Sequence, residues 1–127
     1  MSPRRDIRMR PEEVAAFLAG QTRAVVVALD DEGRPRGAVG RLVDRGGGSP
    51  QEAVGFVLRG DDPVVALLAC DPRACCVAEH FPSYYGIQGV MLHGHAHPVE
   101  PADRADAEFE LSVERVVSYD FGKLLAD

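Results

Sequence analysis

A histidine-rich segment in the second half of the chain constrains the fold more than any other stretch. Residues 87–99 read Ile-Gln-Gly-Val-Met-Leu-His-Gly-His-Ala-His-Pro-Val, and side chains in an extended segment alternate between two faces. One face would carry apolar residues of decreasing size, as in the tapering interior of a small barrel: Val90, Leu92, Gly94 and Ala96. The other would carry Met91 and three histidines, His93, His95 and His97. The segment therefore predicts a barrel strand with a histidine-lined outer face.

The composition is that of a globular protein, and a chain of 127 residues fits a single domain over residues 1–127. Hydrophobic residues make up 46% of the chain, yet no apolar run approaches the roughly 20 residues that span a bilayer. The basic start, residues 1–5, leads into Pro11-Glu12-Glu13 and lacks the apolar core of a secretory signal. We therefore expect a cytoplasmic protein that does not bind membranes.

The charge balance indicates the kind of partner. The formal net charge is −6 at pH 7, whereas binding to phosphate backbones requires a basic surface. Aromatic residues are only 6% of the chain and tryptophan is absent, so few side chains could stack on bases. We expect a small molecule or another protein as the partner, and no nucleic acid.

Local patterns divide the chain into short strands and two short helices. A helix is predicted to begin at Pro11, where a proline and two acids suit a first turn, and to end at Gly20. An almost wholly apolar second helix is predicted over residues 64–70, with Asp61-Asp62-Pro63 at its start. Alternating or β-branched runs predict strands over residues 22–29, 35–43, 53–59, 74–80 and 87–99, the first two forming a hairpin.

The C-terminal segment fits two patterns. Phe109, Leu111 and Val113 alternate with polar residues, which favours a strand. Ala105, Phe109, Val113 and Val116 also fit helical spacing, so a helix remains open. With a sixth strand here, turns as the main connections and no internal repeat, an antiparallel barrel covered by short helices is favoured over a parallel sheet. Because the second helix is apolar all round, we expect a second subunit to cover part of it.

Four segments, in this order and spacing, resemble the flavin-binding split barrels related to pyridoxamine phosphate oxidase. Together they cover over half of the chain. They are Asp-Glu-Gly-Arg-Pro-Arg at 31–36, residues 55–73 from Gly-Phe-Val-Leu to Asp-Pro-Arg, residues 88–96 from Gln-Gly-Val to Gly-His-Ala, and Arg-Val-Val-Ser-Tyr-Asp-Phe at 115–121. The resemblance implies a mainly β (α+β) fold, a six-stranded antiparallel Greek-key split barrel with two or three short helices.

The resemblance also implies a homodimer that binds FMN in a groove at the subunit interface. In that family the second strand has two basic residues separated by four others, and Arg36 and Arg41 keep this pattern. The cofactor-binding positions that follow from the resemblance are Arg36, Ala38, Val39, Arg41, Val57, Leu58, Arg59, Asp62 and Gln88. It implies no particular catalytic residue.

Several positions depart from the family pattern. Val57 and Leu58 replace an aromatic residue and a threonine, and Asp62, Pro63 and Val64 replace the serine and the Arg-Lys pair that open the second helix. The glutamine expected before the fifth strand falls on Gly89, with Gln88 one place away. Because a phosphate needs donors and positive charge, these changes should weaken FMN binding.

Two features could compensate for these losses. Arg59 lies next to the lost threonine position, and its guanidinium could grip a phosphate through two donors. The start of the second helix would still offer free N–H groups. The arginines at 36, 41 and 59 could equally be solvated charges at strand edges.

The histidines and cysteines leave further alternatives. His93 and His95 could share a metal ion, but His97 is too far from His93, so a third ligand would have to be Glu79, His80 or Glu100. The histidines could instead form a solvated or interface face, contact a flavin, or ligate a haem. The three cysteines, Cys70, Cys75 and Cys76, have neither disulfide nor zinc spacing and are predicted to be small buried residues.

The sequence therefore favours an FMN-dependent oxidoreductase that acts on an unidentified small molecule. The alternatives are a non-catalytic protein of the same fold, a protein that binds haem or a deazaflavin in place of FMN, and a histidine-ligated metal protein. No metal ligands are assigned.

Overall fold

Six antiparallel strands close into a barrel. The computed structural model describes residues 6–43, 49–82, 86–99 and 105–124. The strands are β1 (Arg23–Leu29), β2 (Pro35–Val43), β3 (Ala53–Arg59), β4 (Arg73–His80), β5 (Gln88–Pro98) and β6 (Asp106–Asp120). The helices are α1 (Pro11–Ala19), α2 (Pro63–Cys70) and a final 3-10 turn (Phe121–Leu124). These elements confirm the predicted mainly β split barrel with short helices.

The order of strands around the barrel is β1, β2, β3, β6, β5 and β4, and β4 pairs with β1 to close it. The first hairpin turns at Gly33, which adopts a positive φ of 77° that glycine tolerates without strain. The hairpin register joins Leu29 to Pro35 and, at the far end, Arg23 to Arg41. After β3 the chain crosses through α2 to β4, so consecutive strands are not always neighbours.

The barrel interior is filled by the inward side of each strand. Phe56 and Phe109 stack across β3 and β6 with ring centroids 5.3 Å apart. The largest fully buried side chains are Phe56, Leu58, Leu92, Leu111, Val26, Val64 and Val90. Burial of each such side chain stabilises the folded state by about 1.5–3 kcal/mol. The predicted faces of the histidine-rich strand are confirmed, since Val90, Leu92, Gly94 and Ala96 are buried and His97 is exposed.

A β-bulge between β5 and β6 explains the ambiguous pattern at the C-terminus. The register shifts between His93, opposite Arg115, and Gly94, opposite Val113. Glu114 is the extra residue, so Val113 and Val116 both pack on the core although three positions separate them. The backbones approach so closely here that a Cβ on Gly94 would lie 1.8 Å from the Ser112 carbonyl oxygen. Strand, and not helix, is therefore the structure of this segment.

The two helices pack on the barrel by single faces. Val14 and Leu18 of α1 are buried, as are Val64 and Leu68 of α2. Lys123 of the 3-10 turn donates to Glu13 of α1 at 2.7 Å, which lowers the pKa of that carboxyl to about 2. In the part of the chain that the structure describes, no helix has the length and apolarity to cross a bilayer.

Candidate functional site

A groove on the outside of the barrel collects most of the predicted cofactor-binding positions. It has a volume of about 480 Å³ and is formed by the end of β2 and its neighbours β1, β3 and β6. Its lining residues are Thr22, Arg23, Val39, Gly40, Arg41, Val57, Leu58, Arg59 and Asp106. Five of the nine predicted positions, Val39, Arg41, Val57, Leu58 and Arg59, thus lie together.

Strand pairing brings these side chains to one place. Arg41 of β2 lies opposite Val57 of β3, and Arg59 of β3 lies opposite Asp106 of β6. On the other side of β2, Arg41 lies opposite Arg23. The groove therefore has three guanidinium groups and one carboxylate in its wall, a charge balance that suits an anion.

Sequence reasoning missed four residues of the groove, Thr22, Arg23, Gly40 and Asp106. Arg23 could have been found from the hairpin pattern, because regular pairing outward from the Asp30–Arg34 turn puts Arg23 opposite Arg41. Asp106 gave no comparable signal, since its place opposite Arg59 depends on pairing between strands that are distant in the sequence.

Arg36 does not join the groove. It lies five residues from Arg41 on β2, which puts the two side chains on opposite faces and roughly 17 Å apart along the strand. Its Nε donates to Asp30 Oδ2 at 3.2 Å. Asp30 also accepts from the backbone N–H groups of Arg34 and Glu32, and these bonds, with Arg34 first, lower the pKa of its carboxyl. Arg36 thus belongs to the hairpin turn in the single chain.

The remaining predicted positions are also engaged elsewhere. Ala38 lies in the buried core. Gln88 Nε2 donates to Asp120 Oδ2 at 3.2 Å, at the start of β5. Asp62 caps α2, and its Oδ1 accepts from Val64 N–H at 2.9 Å. Val64 N–H, one of the groups that could have compensated for the lost phosphate ligands, is therefore already bonded to a carboxylate.

A row of apolar side chains runs around the outside of the barrel from the groove. The register joins Val39 to Val25, Val25 to Val77, Val77 to Met91 and Met91 to Val117. Val39 is 68% exposed and Val25 42% exposed. We call these five residues the outer apolar row. Contiguous exposed apolar surface of this kind usually marks an interaction site.

A hollow of about 400 Å³ lies along this row and adjoins the groove. Its lining includes Arg23, Val25, Val39, Val77 and Glu79. Since Arg23 and Val39 also line the groove, the two depressions form one continuous cleft that is cationic at one end and apolar at the other.

His93 and His95 line a separate depression of about 320 Å³ on the outside of β1, β4, β5 and β6. His95 Nδ1 contacts the carboxylate of Glu114, the extra residue of the bulge. Cys75 Sγ lies 3.9 Å from His93 Nε2. Burial raises the pKa of the Cys75 thiol, so it is protonated at neutral pH and is a weak nucleophile.

The side chains around His93 and His95 were also a candidate metal site. Within the described ranges, no group of three or more histidine, cysteine, aspartate or glutamate side chains is placed to hold a metal ion. Of the cysteines, Cys76 is buried as predicted, Cys75 is partly buried, and the prediction was wrong for Cys70, which is exposed at the end of α2.

Solved structures of similar architecture support the barrel fold described above. A putative pyridoxamine 5'-phosphate oxidase from Listeria innocua has a TM-score of 0.67 at 11% identity, covering 85% of this chain and 96% of that one. An FAD-binding protein from Mesorhizobium loti has a TM-score of 0.72 at 10% identity, with 88% and 93% covered. The haem storage protein HutZ from Vibrio cholerae has a TM-score of 0.69 at 14% identity, with 88% and 96% covered.

Comparison of the sequence itself gives no assignment. No protein-family model matches this sequence, and no curated protein matches it. The structural neighbours include flavin-binding and haem-storing proteins, and their low sequence identity to this chain supports the fold alone. The chain has the split-barrel fold of pyridoxamine phosphate oxidase-like proteins.

Proposed function

We propose that this protein is a dimeric, cytoplasmic oxidoreductase that binds FMN in the cleft outside β1 and β2 and acts on a small molecule. The observation that carries the proposal is the cleft itself, in which a cationic groove continues into an apolar hollow. FMN has the same two-part chemistry, with a phosphate at one end and a flat aromatic ring at the other.

The residues of the cleft fit such a ligand. Arg23, Arg41 and Arg59 offer guanidinium donors to a phosphate. Val39 and Val25 offer apolar surface on which a ring system could lie. When bound, the flavin supplies the hydride chemistry, and the protein supplies its orientation and electrostatic environment. No side chain is assigned a direct role in the reaction.

A second copy of the chain would complete the cleft. The outer apolar row leaves Val25 and Val39 in solvent. Pairing of two subunits along this row would remove these side chains from water and would convert an open cleft into an enclosed site. The predicted homodimer rests on this argument.

Titration of the purified protein with FMN tests the cofactor assignment. We expect flavin fluorescence to be quenched and the melting temperature to rise with FMN concentration, because a ligand that binds only the folded state stabilises it. If FMN in large molar excess over the protein changes neither signal, FMN is not the cofactor.

Light scattering after size-exclusion chromatography tests the dimer. Val25→Asp places a charge in the middle of the outer apolar row, and we expect it to yield monomers that still fold. Leu124→Asp is the matched control, because Leu124 is 51% exposed and lies outside the row. A parent protein that is monomeric at micromolar concentration would contradict the proposed assembly.

One observation favours a second candidate, haem binding. His95 Nδ1 contacts Glu114, and a ring nitrogen that contacts a carboxylate carries the proton, which leaves Nε2 able to ligate iron. Val27 and Leu29 give the depression beside His95 apolar walls. We expect the Soret band of added haemin to shift and sharpen if this candidate is right, the shift to be lost in His95→Ala, and the shift to be retained in His97→Ala. A spectrum identical to that of free haemin would reject it.

A further inference from the structure

Arg23 and Arg41 face each other directly across the first hairpin. They are register partners in β1 and β2, both are exposed, and both line the groove. Directly opposed side chains on an antiparallel pair have Cβ atoms roughly 5 Å apart. Both guanidinium groups therefore reach the same small area of surface.

Asp106 lines the same groove, and Glu79 lines the adjoining hollow with Arg23, but neither carboxylate forms an ion pair with Arg23 or Arg41. Among the residues that the structure describes, neither Arg23 nor Arg41 forms an ion pair, whereas Arg59 on the next strand donates to Asp61 at 3.0 Å. Like charges that lie opposite each other destabilise a sheet. A bound anion would remove that repulsion and would accept hydrogen bonds from both guanidinium groups.

The other walls of the groove offer little to an anion. Val57 and Leu58 of β3 have no polar side-chain atoms, Arg59 is paired with Asp61, and Asp106 of β6 is an acid. Thr22, the other lining residue with a hydrogen-bond donor in its side chain, directly precedes Arg23. An anion in the groove must therefore be held mainly from the side of β1 and β2.

We infer that Arg23 and Arg41 form a two-arginine clamp that holds the phosphate group of the cofactor from β1 and β2. The inference rests on the proposed function for the identity of the ligand. It adds a binding residue, Arg23, that the family resemblance does not indicate. It also assigns Arg59 a smaller part, because Asp61 already neutralises that guanidinium.

Comparing FMN with riboflavin isolates the phosphate, since riboflavin lacks it. We expect Arg23→Gln and Arg41→Gln each to weaken FMN binding by about 10-fold to 100-fold, as loss of hydrogen bonds to a charged group does. The affinity of each variant for riboflavin should stay within about twofold of the parent's, because riboflavin has no phosphate for the arginines to bind. Arg59→Gln should have a smaller effect on FMN. Arg8→Gln is the charge-matched control, because the exposed Arg8 guanidinium contacts Asp6 and lies outside the groove.

Inorganic phosphate provides a second probe that does not depend on a flavin. We expect it to raise the melting temperature of the parent and of Arg8→Gln more than that of Arg23→Gln or Arg41→Gln. Sodium chloride at matched ionic strength separates binding from general screening.

These experiments distinguish failure of the two-arginine clamp from failure of the FMN assignment. If Arg23→Gln binds FMN as tightly as the parent does, the clamp is refuted and the flavin assignment stands. If the parent binds neither flavin, the FMN assignment fails, and the phosphate titration then decides the clamp alone. Equal stabilisation of the parent and Arg23→Gln by phosphate would overturn it.

Discussion

Replacing Arg23 by glutamine should stabilise the protein when no anion is bound. Arg23 and Arg41 are register partners with Cβ atoms about 5 Å apart. Since their flexible side chains let the two charges lie about 5–10 Å apart, the repulsion in water is about 0.4–0.8 kcal/mol. For a chain of 127 residues, this corresponds to a rise in melting temperature of about 1–3 °C. Since both side chains are exposed, the substitution removes no buried contact that would offset the gain.

The salt dependence of unfolding distinguishes repulsion from other causes. The Debye length is about 30 Å at 0.01 M salt and about 3 Å at 1 M, so the advantage of Arg23→Gln should be largest at low salt and mostly absent at 1 M. Denaturant or thermal unfolding in a phosphate-free buffer measures it. A variant that is less stable than the parent, or whose difference does not change with salt, would refute the reasoning.

Three further predictions follow from the packing and charges. Gly94→Ala should destabilise the protein by at least about 3 kcal/mol, because its Cβ would lie 1.8 Å from the Ser112 oxygen; an unchanged melting temperature would contradict this. Leu92→Ala should cost about 2–5 kcal/mol in denaturant unfolding, as expected for a side chain 1% exposed. Glu13 has a pKa lowered to about 2, first by its bond to Lys123, so it stabilises the fold above pH 4.5, its usual pKa. Lys123→Gln should therefore be less stable than the parent at pH 6, the difference should shrink as the pH falls towards 2, and a difference that stays constant would refute the assignment.

The strands and their faces could be predicted because alternation is a local signal. The inward and outward sides of β5 follow directly from the order of Val90, Leu92, Gly94 and Ala96. The C-terminal segment was ambiguous for a physical reason. The bulge at Glu114 moves Val116 to the inward face three positions after Val113, and that spacing imitates a helix.

The groove could be predicted only in part, because it is made by pairing between strands. Arg41, Val57 and Arg59 were found through the family resemblance, and strand pairing places them together. The separation of Arg36 from Arg41 was available from the sequence, since residues five apart on a strand face opposite sides. Asp62 illustrates the reverse case, because its cap on α2 uses the N–H group that sequence reasoning left free for a ligand.

Closure of the barrel by β4 against β1 affects how subunits can associate. Val25, Val77 and Met91 lie on strands that are paired on both sides at these residues, so the middle of the outer apolar row has no unpaired backbone groups to join another chain. Contact along the outer apolar row must then be made by side chains such as Val25 and Val39. A dimer built in this way can separate into intact subunits, so exchange between labelled and unlabelled chains should proceed without unfolding.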